Sequence, residues 1–119
     1  MRKENIEFTN PDQIINMGGP WVAELLINNI KILDNIIIDN YIENLDYYYF
    51  VKYFKISKKQ KDNFFSVIQI SRNNMKIKTS VEKFEKIYID KIEDNILHYY
   101  DGFHNNAAIK NKLISFINF

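Results

Sequence analysis

Apolar and polar residues alternate with a period of two along much of this chain. Met75–Val81 ("MKIKTSV") puts Met75, Ile77, Thr79 and Val81 on one side and Lys76, Lys78 and Ser80 on the other. That is the pattern of a half-buried strand, because successive side chains in a strand point to opposite faces. Where the alternation fails, both sides turn apolar. Tyr47–Ile56 ("YYYFVKYFKI") carries Tyr47, Tyr49, Val51 and Tyr53 on one face and Tyr48, Phe50, Phe54 and Ile56 on the other. A strand apolar on both faces is expected in the middle of a sheet with both sides covered.

The remaining segments extend the pattern. "WVAELLI" (Trp21–Ile27) and "IKIL" (Ile30–Leu33) read as strands joined by Asn28-Asn29, since Asn tolerates positive φ. Asp34-Asn35 reads as a turn before a run of isoleucines, and β-branched residues favour strands. Glu43–Asp46 turns again, and Ser57–Asn63 is a polar loop. "FFSVIQIS" (Phe64–Ser71) is a strand, and Arg72-Asn73-Asn74 a turn. A further strand lies around Ile87–Ile89, Glu93-Asp94-Asn95 turns, and "ILHYY" (Ile96–Tyr100) follows.

Two stretches carry helical signals. Asn10 is placed to cap a short helical turn with Pro11 at its first position, stopped by Gly18-Gly19. In residues 107–119, Ile109, Leu113, Phe116 and Ile117 fit a helical stripe, while Ile114 and Phe116 also fit a strand. The strand reading agrees better with the rest of the chain. The expected fold is mainly β: an antiparallel meander of seven or eight strands at about 8–12-residue spacing, forming a sandwich or a strongly curled sheet. It includes the short N-terminal helical turn and leaves a C-terminal helix open.

Composition narrows the class. The 119 residues, 46% of them hydrophobic, make one domain with a single core. Cysteine is absent, which excludes disulfides and thiolate metal sites. Met1-Arg2-Lys3-Glu4 leads into polar sequence, and no 18-residue apolar run follows, so the expected compartment is the cytosol and no membrane span is expected. Ile, Asn, Lys, Tyr and Phe all have A/T-rich codons, which discounts the aromatic content.

Charge is balanced in sum, at +1, and uneven along the chain. Asp34, Asp39, Glu43 and Asp46 lie between Leu33 and Tyr47 with no basic residue among them, and Asp90, Glu93, Asp94 and Asp101 dominate a second stretch. Lys52, Lys55, Lys58, Lys59 and Lys61 form a basic segment between the two. Turn charges are normally just solvated. Their clustering points to a polarised surface, with acidic turns that steer a basic protein partner. Tyr47, Tyr99, Tyr100 and His104 flank those turns as candidate contacts. The lysine segment with its tyrosines offers the alternative of a nucleic-acid-binding β-domain.

"HYYDGFH" (His98–His104) holds both histidines, around an aspartate. Two imidazoles and a carboxylate are metal or acid–base chemistry. Asp101-Gly102, however, predicts a two-residue turn that sets Tyr100 opposite Phe103 and Tyr99 opposite His104. The two histidines then point to opposite faces, and a straight strand would put them about 20 Å apart. Only a three-residue loop, with Tyr100 opposite His104, would make them same-face diagonal neighbours about 7–8 Å apart. Two geometries of three therefore reject a shared site. No phosphate loop, nucleophile elbow or H-E-x-x-H is present. No enzyme activity, cofactor, metal or small-molecule substrate is therefore expected.

One family resemblance adds to this. "FTNPDQIINMGGPWVAELLINN" (Phe8–Asn29), with its N-P-D-x-I, its glycine pair and proline and its strand ending in Asn-Asn, resembles bacterial immunity proteins of contact-dependent growth-inhibition and other polymorphic toxin systems. The resemblance implies an antitoxin of bacterial competition. Such a protein binds the C-terminal domain of a cognate toxin, often a nuclease, and occludes its active site. No catalytic residue transfers with the motif.

Overall fold

The computed structural model describes residues 4–14, 20–38, 40–59 and 62–119. The chain is mainly β, with eleven strands and no helix among the described residues. They are β1 (Ile6–Gln13), β2 (Trp21–Ile27), β3 (Ile30–Ile37), β4 (Ile42–Glu43), β5 (Tyr47–Phe54), β6 (Phe64–Ser71), β7 (Ile77–Ser80), β8 (Tyr88–Glu93), β9 (Ile96–Tyr100), β10 (Ile109–Leu113) and β11 (Phe116–Asn118). All pairings are antiparallel. The large sheet runs β1-β2-β3-β5-β6-β7-β11, with β4 also paired to β5, and a three-stranded sheet runs β10-β9-β8.

β5 takes the central place its sequence predicts. It lies between β3 and β6, and Tyr48 through Tyr53 are all buried. One face of the large sheet carries Tyr49, Val51, Tyr53, Phe65 and Val67, which pack with Ile89, Leu97 and Tyr99 of the small sheet. The other face carries Tyr48, Phe50, Ile68 and Ile70. These pack with Leu25, Ile27, Leu33 and Ile36 from the β2–β3 hairpin and with Phe8 and Tyr41. The Tyr41 and Phe50 rings stack at 5.0 Å. The two faces thus hold two separate apolar clusters.

Turn chemistry follows the asparagines. Asn28 and Asn29 (φ 52° and 67°) close β2–β3, and Asp94 and Asn95 (φ 52° and 64°) close β8–β9. Both central positions lie in the left-handed region that a tight hairpin turn requires.

Three expectations are corrected. No helical turn starts at Asn10: residues 6–13 form β1, with Asn10 at φ 52° where the pairing with β2 shifts register. This is a bulge on an edge strand, where Pro11 has no ladder hydrogen bond to lose. The proposed stop, Gly18-Gly19, lies outside the described residues. Asp34-Asn35 is no turn either. β3 runs through it, with Asn35 at φ 54°. The C-terminal segment is strand, forming β10 on the small sheet and β11 on the large one.

The third correction concerns Asp101-Gly102. Tyr100 pairs with Ile109, Tyr99 with Lys110 and His98 with Asn111, so residues 101–108 form a longer connection. Phe103 is drawn inward, its ring 5.3 Å from that of Phe65. A Cβ on Gly102 would sit 2.8 Å from the Ala107 Cβ, so glycine is needed there for close approach within the loop.

Phe50 is 0% exposed at the centre of β5, whereas Ile109 is 56% exposed on β10. Phe50→Ala is expected to lower unfolding free energy by about 3–5 kcal/mol. Ile109→Ala should change it by no more than about 0.5 kcal/mol. Urea denaturation of the two variants checks the assignment.

Candidate functional site

A cleft of about 360 Å³ opens where the two sheets meet. Pro20 and Trp21 at the start of β2, Ile37 and Ile38 at the end of β3, Ile87 and Tyr88 at the start of β8, and Phe103 and His104 of the long loop line it. Asn40 completes the wall.

Local bonding fixes each part. The Ile38 N–H donates to the Trp21 carbonyl at 3.1 Å, which holds the two strand ends together. Asn40 is buried and stands in for a strand beside β8. Its Oδ1 accepts from the Ile89 N–H at 3.2 Å, and its Nδ2 donates to the Ile89 carbonyl at 3.4 Å. The amide is thereby used up in structure. Tyr88 packs on Tyr100 at 6.2 Å between centroids. Trp21, the single tryptophan, remains 50% exposed at the mouth. Half-exposed aromatic rings around an apolar hollow suit capture of an apolar side chain or group.

The candidate residues read from the sequence divide into three groups. Of Tyr100, Asp101 and His104, which are close in sequence, only His104 lines the cleft, where it is exposed; Tyr100 packs on Tyr88, and Asp101 lies 3.2 Å from Lys110. Asp46, Asp90 and Asp94 are exposed and make no ion pair among the described residues. Asp94 is at the tip of the β8–β9 hairpin and Asp90 at the bulge where β8 shifts register on β9.

The rest have other work. Asp34 accepts from the Lys52 ammonium at 3.0 Å. That bond holds its carboxyl below the usual range. Glu43 is 3.5 Å from Arg72, and Glu93 is 3.5 Å from Lys91. Tyr47 is half-buried against Tyr49. Tyr99 is 9% exposed and packs edge-on to Phe84, so it is a core side chain rather than a surface anchor. Asp39 lies outside the described residues.

Lys52 also leaves the basic segment. Its side chain is buried, and its ammonium donates to the Asp34 carbonyl at 2.7 Å as well as to the carboxylate. Lys55, Lys58 and Lys59 remain exposed beyond β5, and Lys61 lies outside the described residues. His98 sits on β9 opposite Asn111 and Lys91, away from the loop that carries His104. Among the described residues, no cluster of three or more His, Asp or Glu is placed to hold a metal ion.

Reading the sequence overlooked Trp21, Asn40 and Phe103. Trp21 looked like any apolar strand residue, and only its position directly after Pro20 sets it apart. Asn40 and Phe103 carry no local signal, since their roles depend on Ile89 and Phe65.

The strongest electrostatic feature lies elsewhere. Arg72 Nη2 and Nε donate to the Glu4 carboxylate at 2.9 and 3.3 Å, and the Tyr48 hydroxyl donates to it at 2.9 Å. The Arg72 guanidinium also lies 4.9 Å over the Tyr48 ring. Hydrogen bonding from Arg72 holds Glu4 down to about 2, and burial pushes the Tyr48 phenol up to about 12. A carboxylate this firmly ionised is a structural ion, unsuited to proton transfer near neutral pH.

Comparison with protein-family models, with curated proteins and with solved structures gives no match for this chain.

Glu4 therefore sets part of the acid stability. Its pKa falls on folding, from an ordinary 4.5 to about 2, so its contribution is complete above 4.5 and is lost as pH falls toward 2. Glu4→Gln is expected to be less stable than the parent at pH 7, with the gap closing progressively below pH 4.5 and nearly gone only at about pH 2 and below. Urea midpoints measured across that range test this. Parallel curves would show that Glu4 has no such role.

Proposed function

We propose that this chain is a bacterial immunity protein that neutralises a cognate toxin domain by binding it and covering its active site. The observation that carries this reading is the cleft lined by half-exposed Trp21 with Tyr88, Phe103 and His104. It sets an aromatic anchor next to a loop histidine on a hydrogen-bonded β-scaffold. A pre-formed surface loses little entropy on association. The resemblance of Phe8–Asn29 to immunity proteins supplies the class of partner, a polymorphic toxin's C-terminal domain, with a nuclease as the favoured activity. In this reading Trp21 is the central contact. Asp46, Asp90 and Asp94, with no ion pair among the described residues, attract basic surface on the toxin.

The direct test is co-expression with the toxin domain encoded next door. The expected results are rescue of growth and recovery of a stable complex. Neither growth rescue nor association at micromolar concentration would end the proposal. Within a complex, the single tryptophan is a built-in reporter: its emission should shift to the blue as the toxin covers it.

Trp21→Ala is expected to weaken binding by about tenfold or more, as loss of a central aromatic contact does. The triple change Asp46→Asn, Asp90→Asn and Asp94→Asn should act differently. It should slow association several-fold at low salt and leave dissociation nearly unchanged, because exposed charges act mainly on encounter. Stopped-flow fluorescence at two ionic strengths separates the two effects.

A further inference from the structure

The small sheet has two edges, and they are treated differently. At β8 the Asn40 side chain occupies the Ile89 N–H and C=O, as an adjacent strand would. At the other edge, β10 pairs with β9 alone among the described residues, and all five of its own residues are exposed.

Hydrogen-bond parity shows which backbone groups β10 leaves open. The Asp101 N–H donates to the Ala108 carbonyl and the Ile114 N–H to the Asn95 carbonyl, each at 2.9 Å, at the two ends of the β9–β10 ladder. Bonded pairs alternate along an antiparallel ladder. Lys110 and Lys112 therefore exchange bonds with β9, while Ile109, Asn111 and Leu113 turn their N–H and C=O groups outward. Their side chains share the outer face with Tyr100, His98 and Ile96, their partners in register. Ile109 is 56% and Leu113 69% exposed there. Lys110 and Lys112 point to the other face, opposite buried Tyr99 and Leu97.

We propose that β10 is a docking edge that adds a strand from a protein partner, and that this strand alternates apolar with acidic residues. The apolar residues meet Ile109 and Leu113, and the acidic ones meet Lys110 and Lys112. A second copy of this chain is the wrong occupant. An antiparallel β10 pair centred on Asn111 would set each Lys110 directly opposite Lys112 of the other copy, and like charges directly opposite destabilise a sheet. Lysines on an edge are also a common guard against self-pairing. The same lysines favour a carboxylate-bearing strand. The incoming carboxylates compete with Asp101 for Lys110 and approach Lys112 where it lies 5.6 Å over the Phe84 ring. Main-chain bonds would supply affinity and the alternate side chains specificity. The inference stands whether or not the partner is a toxin.

The probe is a capped synthetic peptide alternating isoleucine with glutamate, titrated into the full chain and followed by amide NMR. Free protein should be monomeric in sedimentation, with the Ile109, Asn111 and Leu113 amides exchanging fast and Lys110, Lys112 and Ile114 slowly. Peptide should shift and protect the three fast amides. Replacing its glutamates by lysines should weaken binding about tenfold, since two cross-strand pairs change sign. Lys110→Glu with Lys112→Glu should reverse that preference. Asn111→Pro removes an outward donor and no bond to β9, so the fold should persist while peptide binding falls.

Four results would overturn the proposal: no shift at those amides with millimolar peptide, binding indifferent to the charge reversal, unchanged binding by Asn111→Pro, or a dimer that protects the same three amides.

Discussion

β5 has no face for water, and that constraint organises the molecule. Its side chains alternate between two apolar surfaces, so the chain must build a cover on each side. The small sheet and Ile114 supply one. The β2–β3 hairpin, with Phe8 of β1 and Tyr41, supplies the other. Lys52 is the one basic residue on this buried strand, and burying an ammonium is costly without partners. The cost is offset by the Asp34 carbonyl and carboxylate. That fixes where β3 must lie against β5, which is consistent with the pairing of Ile36 with Lys52. The Asn35 bulge leaves Asp34 free to reach back. At the far end of β5, Glu4, Arg72 and Tyr48 join the start of β1 to the β6–β7 turn. Two polar clusters thus flank the aromatic centre.

The β class, the central strand and the turns at Asn28-Asn29 and Asp94-Asn95 were legible, because period-two patterning and positive φ are properties of neighbouring residues. The failures share a cause. Asp101-Gly102 has the composition of a tight turn, yet the chain continues to residue 108 before pairing again, with Phe103 packed on Phe65. Asn10-Pro11 looks like a helix start, but the register shift against β2 uses the same conformational freedom for a bulge. In each case a distant partner overrides a local preference.

The site was less legible than the fold for the same reason. Counting charges along the chain placed Lys52 in a basic surface segment and Asp34 in an acidic one. In the structure they face each other. Tyr99 and Tyr100 are adjacent in sequence and opposite in fate, one buried and one half-exposed, because strand parity sends them to different faces. Trp21 could not be singled out, since its exposure depends on what β3 and the long loop leave uncovered. An unpaired charge and an exposed ring are both defined by missing neighbours, which sequence does not print.

The treatment of strand edges carries the reasoning furthest toward function. β1 carries a bulge and a proline, β8 is closed by Asn40, and β11 is three residues long. Each device limits pairing with a foreign strand. β10 has no bulge in its pairing with β9, no proline and, among the described residues, no side-chain cover. On β10 the guard is charge alone, from Lys110 and Lys112, and charge repels a like-charged strand without closing the ladder to an acidic one. Such an edge offers outward backbone groups at Ile109, Asn111 and Leu113, and the charge beside them discriminates among strands that could use them.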